Sequence, residues 1–256
     1  MESEGLNSVL VRKYNQPVPR YTSYPTVPHW SEAIDVNQWK TDFQIRFSEQ
    51  NPVNGIALYL HLPFCESLCT YCGCNKKIST NHRVEEGYID TLQKEWALYR
   101  KLMTQTPVIR ELHLGGGTPT FFSPQNLQRL LQSILKGCII HPQHEFSMEG
   151  HPNNTTTGHL KTLYNLGFRR ISYGVQDNNP RVQHIINRIQ PFENVQQATK
   201  TARAVGFTSV NFDLIYGLPL QTPQSMEQTI GQVISLQPDR IAFYSYAHVP
   251  WTSKAQ

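Results

Sequence analysis

Four of the five cysteines of the chain fall in one short stretch, "CESLCTYCGC", which begins at Cys65. Cys65, Cys69 and Cys72 have the spacing C-x3-C-x2-C, and Cys74 follows two positions later. Thiols at such density can form a zinc site, a pair of disulfides, a redox dithiol or the ligand set of an iron–sulfur cluster. Each of these uses a different number of cysteines at a different spacing.

The spacing favours an iron–sulfur cluster. A structural zinc site pairs two C-x2-C knuckles, or one knuckle with a later Cys or His pair. That second half is missing, because Cys138 stands alone in the apolar "GCIIHP" and is typical of a small buried side chain. A dithiol would use Cys69 and Cys72 and leave Cys65 unexplained. Three thiolates can hold three irons of a 4Fe–4S cube and leave the fourth iron open. A zinc site stays as the alternative.

The composition describes a cytoplasmic globular protein. The chain has 256 residues, 39% of them hydrophobic and 16% charged, which suits one large domain or at most two small ones. No stretch has the length of a membrane span, and the N-terminus lacks a signal-peptide pattern. Cytoplasmic cysteines stay reduced, which disfavours disulfides. The net charge of +4, without a dense Lys/Arg tract, indicates no nucleic-acid partner.

Strand-like and helix-like runs alternate after the first fifty residues. The predicted strands cover residues 56–62, 111–116, 145–150, 170–175, 209–217 and 240–247. Helix starts are marked by Ser123 and Thr222, each followed by proline, and one helix face carries Tyr88, Leu92 and Trp96. Six strands separated by helices predict an α/β fold, a partial (β/α)6 TIM-like barrel with a parallel sheet. A doubly wound open sheet is the alternative.

The first fifty residues differ in pattern. The stretch "YNQPVPRYTSYPTVPHW" has four prolines and no periodicity, which predicts an extended N-terminal arm. One amphipathic helix is expected over residues 35–49. We therefore predict an arm and helix over residues 1–50 and a barrel over residues 51–256.

The later strands end in glycines or polar residues. "GGGTPT" follows the second strand, and three glycines let backbone groups approach a ligand closely. The other strand ends carry Glu149, Gln176, Asp177 and Asp213, and Arg188 follows the fourth strand. Because all strands of a barrel end at one mouth, these residues and the cysteine stretch predict a single cofactor site there.

These motifs resemble those of the radical S-adenosylmethionine (SAM) enzymes. The resemblance rests on the cysteine spacing with Tyr71 before the last cysteine, on "GGGTPT" and on "DLIYGLP". Within that superfamily the chain is similar to the oxygen-independent coproporphyrinogen III oxidases through "PRYTSYPT", "CTYCGCNK", "GVQDNNPRVQHIINR" and "FYSYAHVP". A heme-binding or heme-trafficking relative without oxidase activity is the alternative, and "PRYTSYPT" and Cys74 argue against it.

The resemblance implies a set of site residues. Cys65, Cys69 and Cys72 would ligate a 4Fe–4S cluster whose open iron chelates SAM. The residues that would hold SAM are Tyr59, Gly116, Gly117, Thr118, Glu149, Gln176, Arg188 and Asp213, with Tyr71 on the adenine. Cys74 would not be a cluster ligand, and it is expected near a second cofactor or the substrate.

The resemblance also implies the reaction. Two propionates of coproporphyrinogen III would become vinyl groups, giving protoporphyrinogen IX in heme biosynthesis. A 5′-deoxyadenosyl radical would take a hydrogen from each β-carbon, with loss of CO2 and one electron. The full-length enzyme would be a monomer with one cluster and two SAM molecules, served by an electron donor. A substrate rich in carboxylates needs cations, and Arg20 is our candidate, a solvent-facing arginine being the alternative.

Two features depart from the family pattern. The third strand ends in "MEGHPNN", where an acidic residue is expected at or near His151. The chain also stops nine residues after the sixth predicted strand, whereas family members continue into a C-terminal domain. We therefore expect an N-terminal fragment that binds the cluster and one SAM but does not turn over coproporphyrinogen.

Overall fold

A computed structural model describes residues 8–14, 26, 29–30 and 35–248 of the chain. The chain divides into two compact units, residues 1–42 and 43–256. The expected boundary after residue 50 stays a prediction. Arg20 lies outside the described residues, and so does most of the proline-rich arm.

A six-stranded sheet forms the centre of the second unit. Its strands are β1 (Ile56–Leu62), β4 (Val108–Gly116), β5 (Ile139–Gly150), β6 (Phe168–Gln176), β7 (Ser209–Tyr216) and β8 (Arg240–Ser245). Two short strands, β2 (Phe64–Cys65) and β3 (Lys77–Ile78), pair separately. The six strands are parallel and lie in chain order, without the reversal that a doubly wound sheet requires. The predicted barrel-type α/β fold is confirmed.

Helices connect consecutive strands of the six-stranded sheet, and α1 (Ser8–Tyr14) and α2 (Val36–Asn54) precede β1. The connecting helices are α3 (Val84–Leu102), α4 (Pro124–Leu135), α5 (Thr157–Asn165), α6 (Pro180–Ile185), α7 (Phe192–Val205) and α8 (Pro223–Ser235). Both predicted caps are confirmed, because Ser123 Oγ accepts the N–H of Asn126 at 3.2 Å and Thr222 Oγ1 accepts that of Ser225 at 3.1 Å. No helix in the described part of the chain combines the length and apolar character that a bilayer span needs.

The prediction of an amphipathic helix over residues 35–49 is wrong in two respects. Helix α2 continues to Asn54, and its apolar side chains do not share one face, since Ile45 and Val53 are exposed while Phe47 is buried. The polar side chain of Asn51 instead attaches the end of this helix to the start of β4. The amide of Asn51 donates to the carbonyl of Thr106 at 2.9 Å and accepts the N–H of Val108 at 2.8 Å.

The apolar core lies between the sheet and its helices. Alternate strand residues such as Leu112, Phe146 and Phe212 are buried there, against helix residues such as Leu131 and Leu160. The opposite face of the sheet carries the intervening residues, which are largely polar. At the carboxyl ends of the strands, residues of this polar face line the candidate site.

Candidate active site

The cysteine loop lies between two short strands that pair with each other. In β2 and β3, Phe64 pairs with Lys77 and Cys65 with Ile78. Inside the loop, Lys76 Nζ donates to the carbonyl oxygens of Cys72 at 3.0 Å and Cys74 at 3.3 Å. The loop is therefore held at both ends and in the middle by contacts within the protein.

A cavity of about 420 Å³ opens at the carboxyl ends of the strands, beside this loop. The predicted site residues that line it are Cys65, Cys69, Tyr71, Cys72, Cys74, Gly116, Gly117, Thr118, Glu149, Gln176, Arg188 and Asp213. Tyr59 is not among the lining residues. Its hydroxyl lies 3.0 Å from Nδ1 of His61, and its ring is next to Gly115.

The glycine motif packs directly against the cysteine loop. A Cβ atom on Gly117 would lie 2.4 Å from the carbonyl oxygen of Pro63, so only glycine fits there. The next residue, Thr118, donates its N–H to the Phe64 carbonyl at 3.0 Å, and its Oγ1 lies 3.3 Å from Cys65 Sγ. The motif thus fixes the distance between β4 and the first cysteine.

All five cysteines are free thiols, and their surroundings differ. Cys74 donates a hydrogen bond to Cys72 and lowers the pKa of the Cys72 thiol, while the pKa of Cys74 is raised. Burial raises the pKa of Cys65, and the hydrogen bond from Thr118 partly offsets this effect. The lowered pKa favours the thiolate form of Cys72, which is the form that binds metal.

The three thiols are chemically suited to a 4Fe–4S cluster. Among the described residues, no three Cys, His, Asp or Glu side chains are arranged to share one metal ion. A 4Fe–4S cube presents a separate iron to each thiolate, so its ligands need not converge on one point. Cys138 lies elsewhere, half-buried, and its thiol donates to the Ile134 carbonyl at 3.3 Å.

Arg188 brings a cation to the cavity. Its Nη2 donates to the Gly174 carbonyl at 2.6 Å, and its Nη1 lies 3.7 Å from Cys69 Sγ. Its Nε is buried and has no hydrogen-bond partner among the described residues. A buried guanidinium N–H without a partner suits an anionic group of a ligand, such as a carboxylate.

Two carboxylates face the same cavity. Asp213 accepts hydrogen bonds from Ser172 and Asn211, both at 3.0 Å. Burial raises the pKa of Asp213, the hydrogen bond from Ser172 lowers it, and the charge of Glu149 raises it further. Glu149 accepts the N–H of Gly116 at 3.3 Å. With Arg188, the cavity offers partners to a ligand that carries both positive and negative groups.

Comparison with known proteins assigns the chain to a family. The family model described as the radical SAM superfamily matches residues 59–233. The chain belongs to this superfamily. Two radical SAM methyltransferase structures from Kitasatospora setae share the fold, with TM-scores of 0.54 and 0.53 at 13% identity.

More similar relatives are named as coproporphyrinogen III oxidases. The chain is 44% identical over 243 residues to "Oxygen-independent coproporphyrinogen III oxidase" of Helicobacter pylori strain J99, and 38% identical over 247 residues to that of Escherichia coli K12. These matches cover 94% and 96% of the chain but 53% of each relative. The solved structure of the Escherichia coli coproporphyrinogen III oxidase, described as a radical SAM enzyme, matches with a TM-score of 0.85 at 36% identity, over 97% of this chain and 54% of that one. The chain thus spans about half the length of the curated relatives it matches.

His151 lies where the family pattern predicts an acidic residue at or near this position. It is half-buried in the cavity lining, and its Nδ1 accepts the N–H of Asn153 at 3.2 Å. Burial and the charge of Arg188 lower the pKa of His151 to about 3. The imidazole is therefore neutral at physiological pH and adds no charge to the cavity.

Some residues of the site were missed from the sequence. Ser172 and Asn211 orient Asp213, and Lys76 holds the cysteine loop. The alternation of a strand was a usable signal for Asn211, because a residue two positions before Asp213 shares its face. Nothing local pointed to Ser172, because its relation to Asp213 depends on the pairing of β6 with β7.

Proposed function

We propose that the chain binds a 4Fe–4S cluster through Cys65, Cys69 and Cys72 and binds SAM in the same cavity. We further propose that the protein converts two propionates of coproporphyrinogen III to vinyl groups, giving protoporphyrinogen IX. The observation that carries the first part is one cavity, in a radical SAM chain, with three thiols on one wall and an unpartnered guanidinium N–H on another. The second part rests on the names of the relatives.

When bound, the cluster and SAM together supply the one-electron chemistry that starts hydrogen abstraction from a substrate. The chain's own residues bind and orient. Arg188 would hold the SAM carboxylate, and Glu149 and Asp213 would accept from its amino group and ribose hydroxyls. Tyr71, packed against Val182 and its apolar neighbours, would support the adenine.

Gly116, Gly117 and Thr118, which line the cavity, would border the methionine part of SAM. Gln176 lines the cavity in the left-handed region with φ of 65°, which turns the chain sharply at the end of β6. Tyr59 would act from behind Gly115, at the edge of the cavity. Cys74 would support Cys72 through its hydrogen bond, in addition to its expected proximity to the second SAM or the substrate.

The remaining parts of the proposal concern the whole protein. It would act in the cytoplasm as a monomer, use a second SAM for the second propionate, and receive electrons from a separate donor. Arg20 would bind a carboxylate of the porphyrinogen. The relatives that this chain matches are almost twice as long as it is.

Anaerobic reconstitution with iron and sulfide tests the cluster. We expect about four irons per chain and visible cluster absorption. Replacing Cys65, Cys69 and Cys72 by alanine should abolish iron binding, while Cys138→Ser, outside the cavity, should leave it unchanged. Stoichiometric zinc without a cluster would contradict the proposal.

Product analysis tests the reaction. The reconstituted chain is incubated with SAM, a reductant and coproporphyrinogen III without oxygen. Vinyl product would support the whole proposal for this chain. Cleavage of SAM without vinyl product would limit the proposal for the 256-residue chain to cofactor binding and SAM cleavage.

A further inference from the structure

A short segment after helix α6 contacts two parts of the cavity at once. We call residues 186–190 the bracket. It contains Arg188 and begins where α6 ends. Asn187 within it has a φ of 53°, a left-handed conformation that asparagine tolerates better than most residues. Asn187 and Ile189 of the bracket are exposed to solvent. Packing of these two side chains therefore contributes little to fixing the position of the bracket.

The bracket attaches the cysteine loop. The carbonyl oxygen of Ile186 accepts the N–H of Thr70 at 3.0 Å. The side-chain amide of Asn187 donates to the carbonyl oxygen of Leu68 at 2.8 Å. These bonds join segments far apart in sequence, at the part of the loop that carries the second cysteine ligand. Any movement of the bracket would therefore move both Arg188 and the cysteine loop.

One side chain holds the bracket from inside. Gln183 is only 4% exposed, and its Nε2 donates to the carbonyl oxygens of Asp177 at 2.9 Å and Gln190 at 2.7 Å. Its Oε1 accepts the N–H of Gln190 at 2.9 Å, and its main-chain oxygen accepts the N–H of Arg188 at 2.8 Å. Both amide hydrogens and the amide oxygen of this side chain are thus used, and Gln190 is held at both its N–H and its C=O.

The other end of this arrangement is firmly anchored. The carboxylate of Asp177, which is fully buried, accepts from Gln221 Nε2 at 2.6 Å, Thr229 Oγ1 at 3.1 Å and the N–H of Asn179 at 2.6 Å. These partners come from the segment after β7, from α8 and from the start of α6. Gln183 therefore connects the bracket to a fixed point of the fold.

We propose that Gln183 is a positioning residue: it holds the bracket so that Arg188 reaches the cofactor and Asn187 and Ile186 hold the cysteine loop. The role of Arg188 toward SAM rests on the proposed function, whereas the clamp itself rests on the contacts of the chain. No other side-chain type supplies two adjacent N–H donors and one acceptor at this length without charge, since glutamate lacks the donors and methionine lacks all three.

Hydrogen exchange of the chain without cofactors tests the clamp. In Gln183→Met, the side-chain partners of Gln190 are lost, and we expect the backbone amides of Gln190 and Arg188 to exchange about tenfold faster or more. Amides in β6, such as that of Ile171, should keep their rates. The matched control is Gln197→Met on α7, because Gln197 is exposed and its amide donates only to the nearby Thr201.

Two results would overturn the clamp. One is an unchanged rate at Gln190 in Gln183→Met. The other is equal acceleration at Gln190 and throughout β6, which would mean that Gln183 supports the fold in general. If Gln183→Met does not fold, the variant to measure is Asn187→Gly, at an exposed position. Glycine can keep the positive φ of Asn187, so the substitution removes only the hydrogen bond to Leu68. It should accelerate the Thr70 amide, and an unchanged Thr70 rate would contradict the bracket.

A double-mutant cycle on SAM binding to the reconstituted chain tests the consequence. Gln183→Met should raise the Kd for SAM about tenfold, and so should Arg188→Lys. Combined, they should weaken binding little more than Arg188→Lys alone, because Gln183 acts through Arg188. Full additivity would overturn this part of the inference. If the unaltered chain binds no SAM, the proposed function fails, and the exchange experiment still decides on the clamp.

Discussion

The two faces of the central sheet divide stability and chemistry between alternate residues of the same strands. In β5, Phe146 and Met148 are buried against the helices, while Ser147 and Glu149 point to the other face. In β7, Phe212 is buried and Asp213 lines the cavity. The apolar row needs close packing, and the polar row needs hydrogen bonds and charge. Because strand residues alternate, either row can change without moving the other.

The largest effect that tests this division is expected on the apolar row. Phe146→Ala should lower the free energy of unfolding by about 3–5 kcal/mol, because it leaves a cavity in a fully packed core. Its neighbour on the same strand is the control. Ser147→Ala removes a hydrogen bond to His113 at 2.8 Å and should cost about 1 kcal/mol. Urea denaturation measures both, and equal losses would break the comparison.

A smaller loss is expected where the polar row meets the cysteine loop. Gly117→Ala would force a Cβ against the backbone of Pro63 and should cost about 1–3 kcal/mol. Gly87→Ala has the opposite sign as its control, since Gly87 lies in α3 with open space around it and alanine favours helix by about 1 kcal/mol. Thermal unfolding of the two variants should move in opposite directions. A shared direction would contradict the geometry at Gly117.

On the helix side, acid should weaken the fold through His159. Its Nε2 donates to the Phe122 carbonyl at 2.8 Å and its Nδ1 accepts the N–H of Thr156 at 3.1 Å, so the neutral form is required. Burial lowers the pKa of His159, so the unfolded chain binds the proton more tightly. The contribution of His159 to the free energy of unfolding is therefore fully present above about pH 6.5. Below that pH it falls, by at most about 1.4 kcal/mol per pH unit. His159→Gln should show a shallower loss in acid, and identical slopes would contradict this.

On the polar row, the smallest effect on stability is expected for Asp213→Asn. The pKa of Asp213 is raised, so its contribution favours folding at low pH and is lost as the pH rises through that pKa. At pH 7 the asparagine variant should be at least as stable as the original chain, within about 0.5 kcal/mol. Its affinity for SAM should nevertheless fall about tenfold. Parallel unfolding and binding measurements check this, and a loss of stability without a loss of affinity would reverse the assignment.

The parts of the fold that local chemistry determines could be predicted from the sequence. Strand β1 has the predicted bounds, and α4 and α8 start at the predicted prolines, because alternation and capping are properties of a few neighbouring residues. The common lining of the cavity by the cysteines, the glycine motif and Arg188 also follows the prediction, since parallel strands end at one edge.

What was missed depends on contacts between distant segments. Strand β5 begins at Ile139, six residues before its predicted start, and includes Pro142, which reads as a loop signal. The two-residue strands β2 and β3 are too short for any periodicity. The hydrogen bonds of Gln183 join residues whose proximity arises only when α6 and the bracket fold back on each other.

The pairing of β2 with β3 has a consequence for how metal is acquired. It closes the ends of residues 66–76 through backbone pairing, so the entropy of loop closure is offset by folding and need not be offset by metal binding. Zinc fingers order their chain only when the ion binds. Toward the proposed cluster this loop would instead act as a preorganised chelator, for which iron uptake should be fast and should add little to the cooperativity of unfolding.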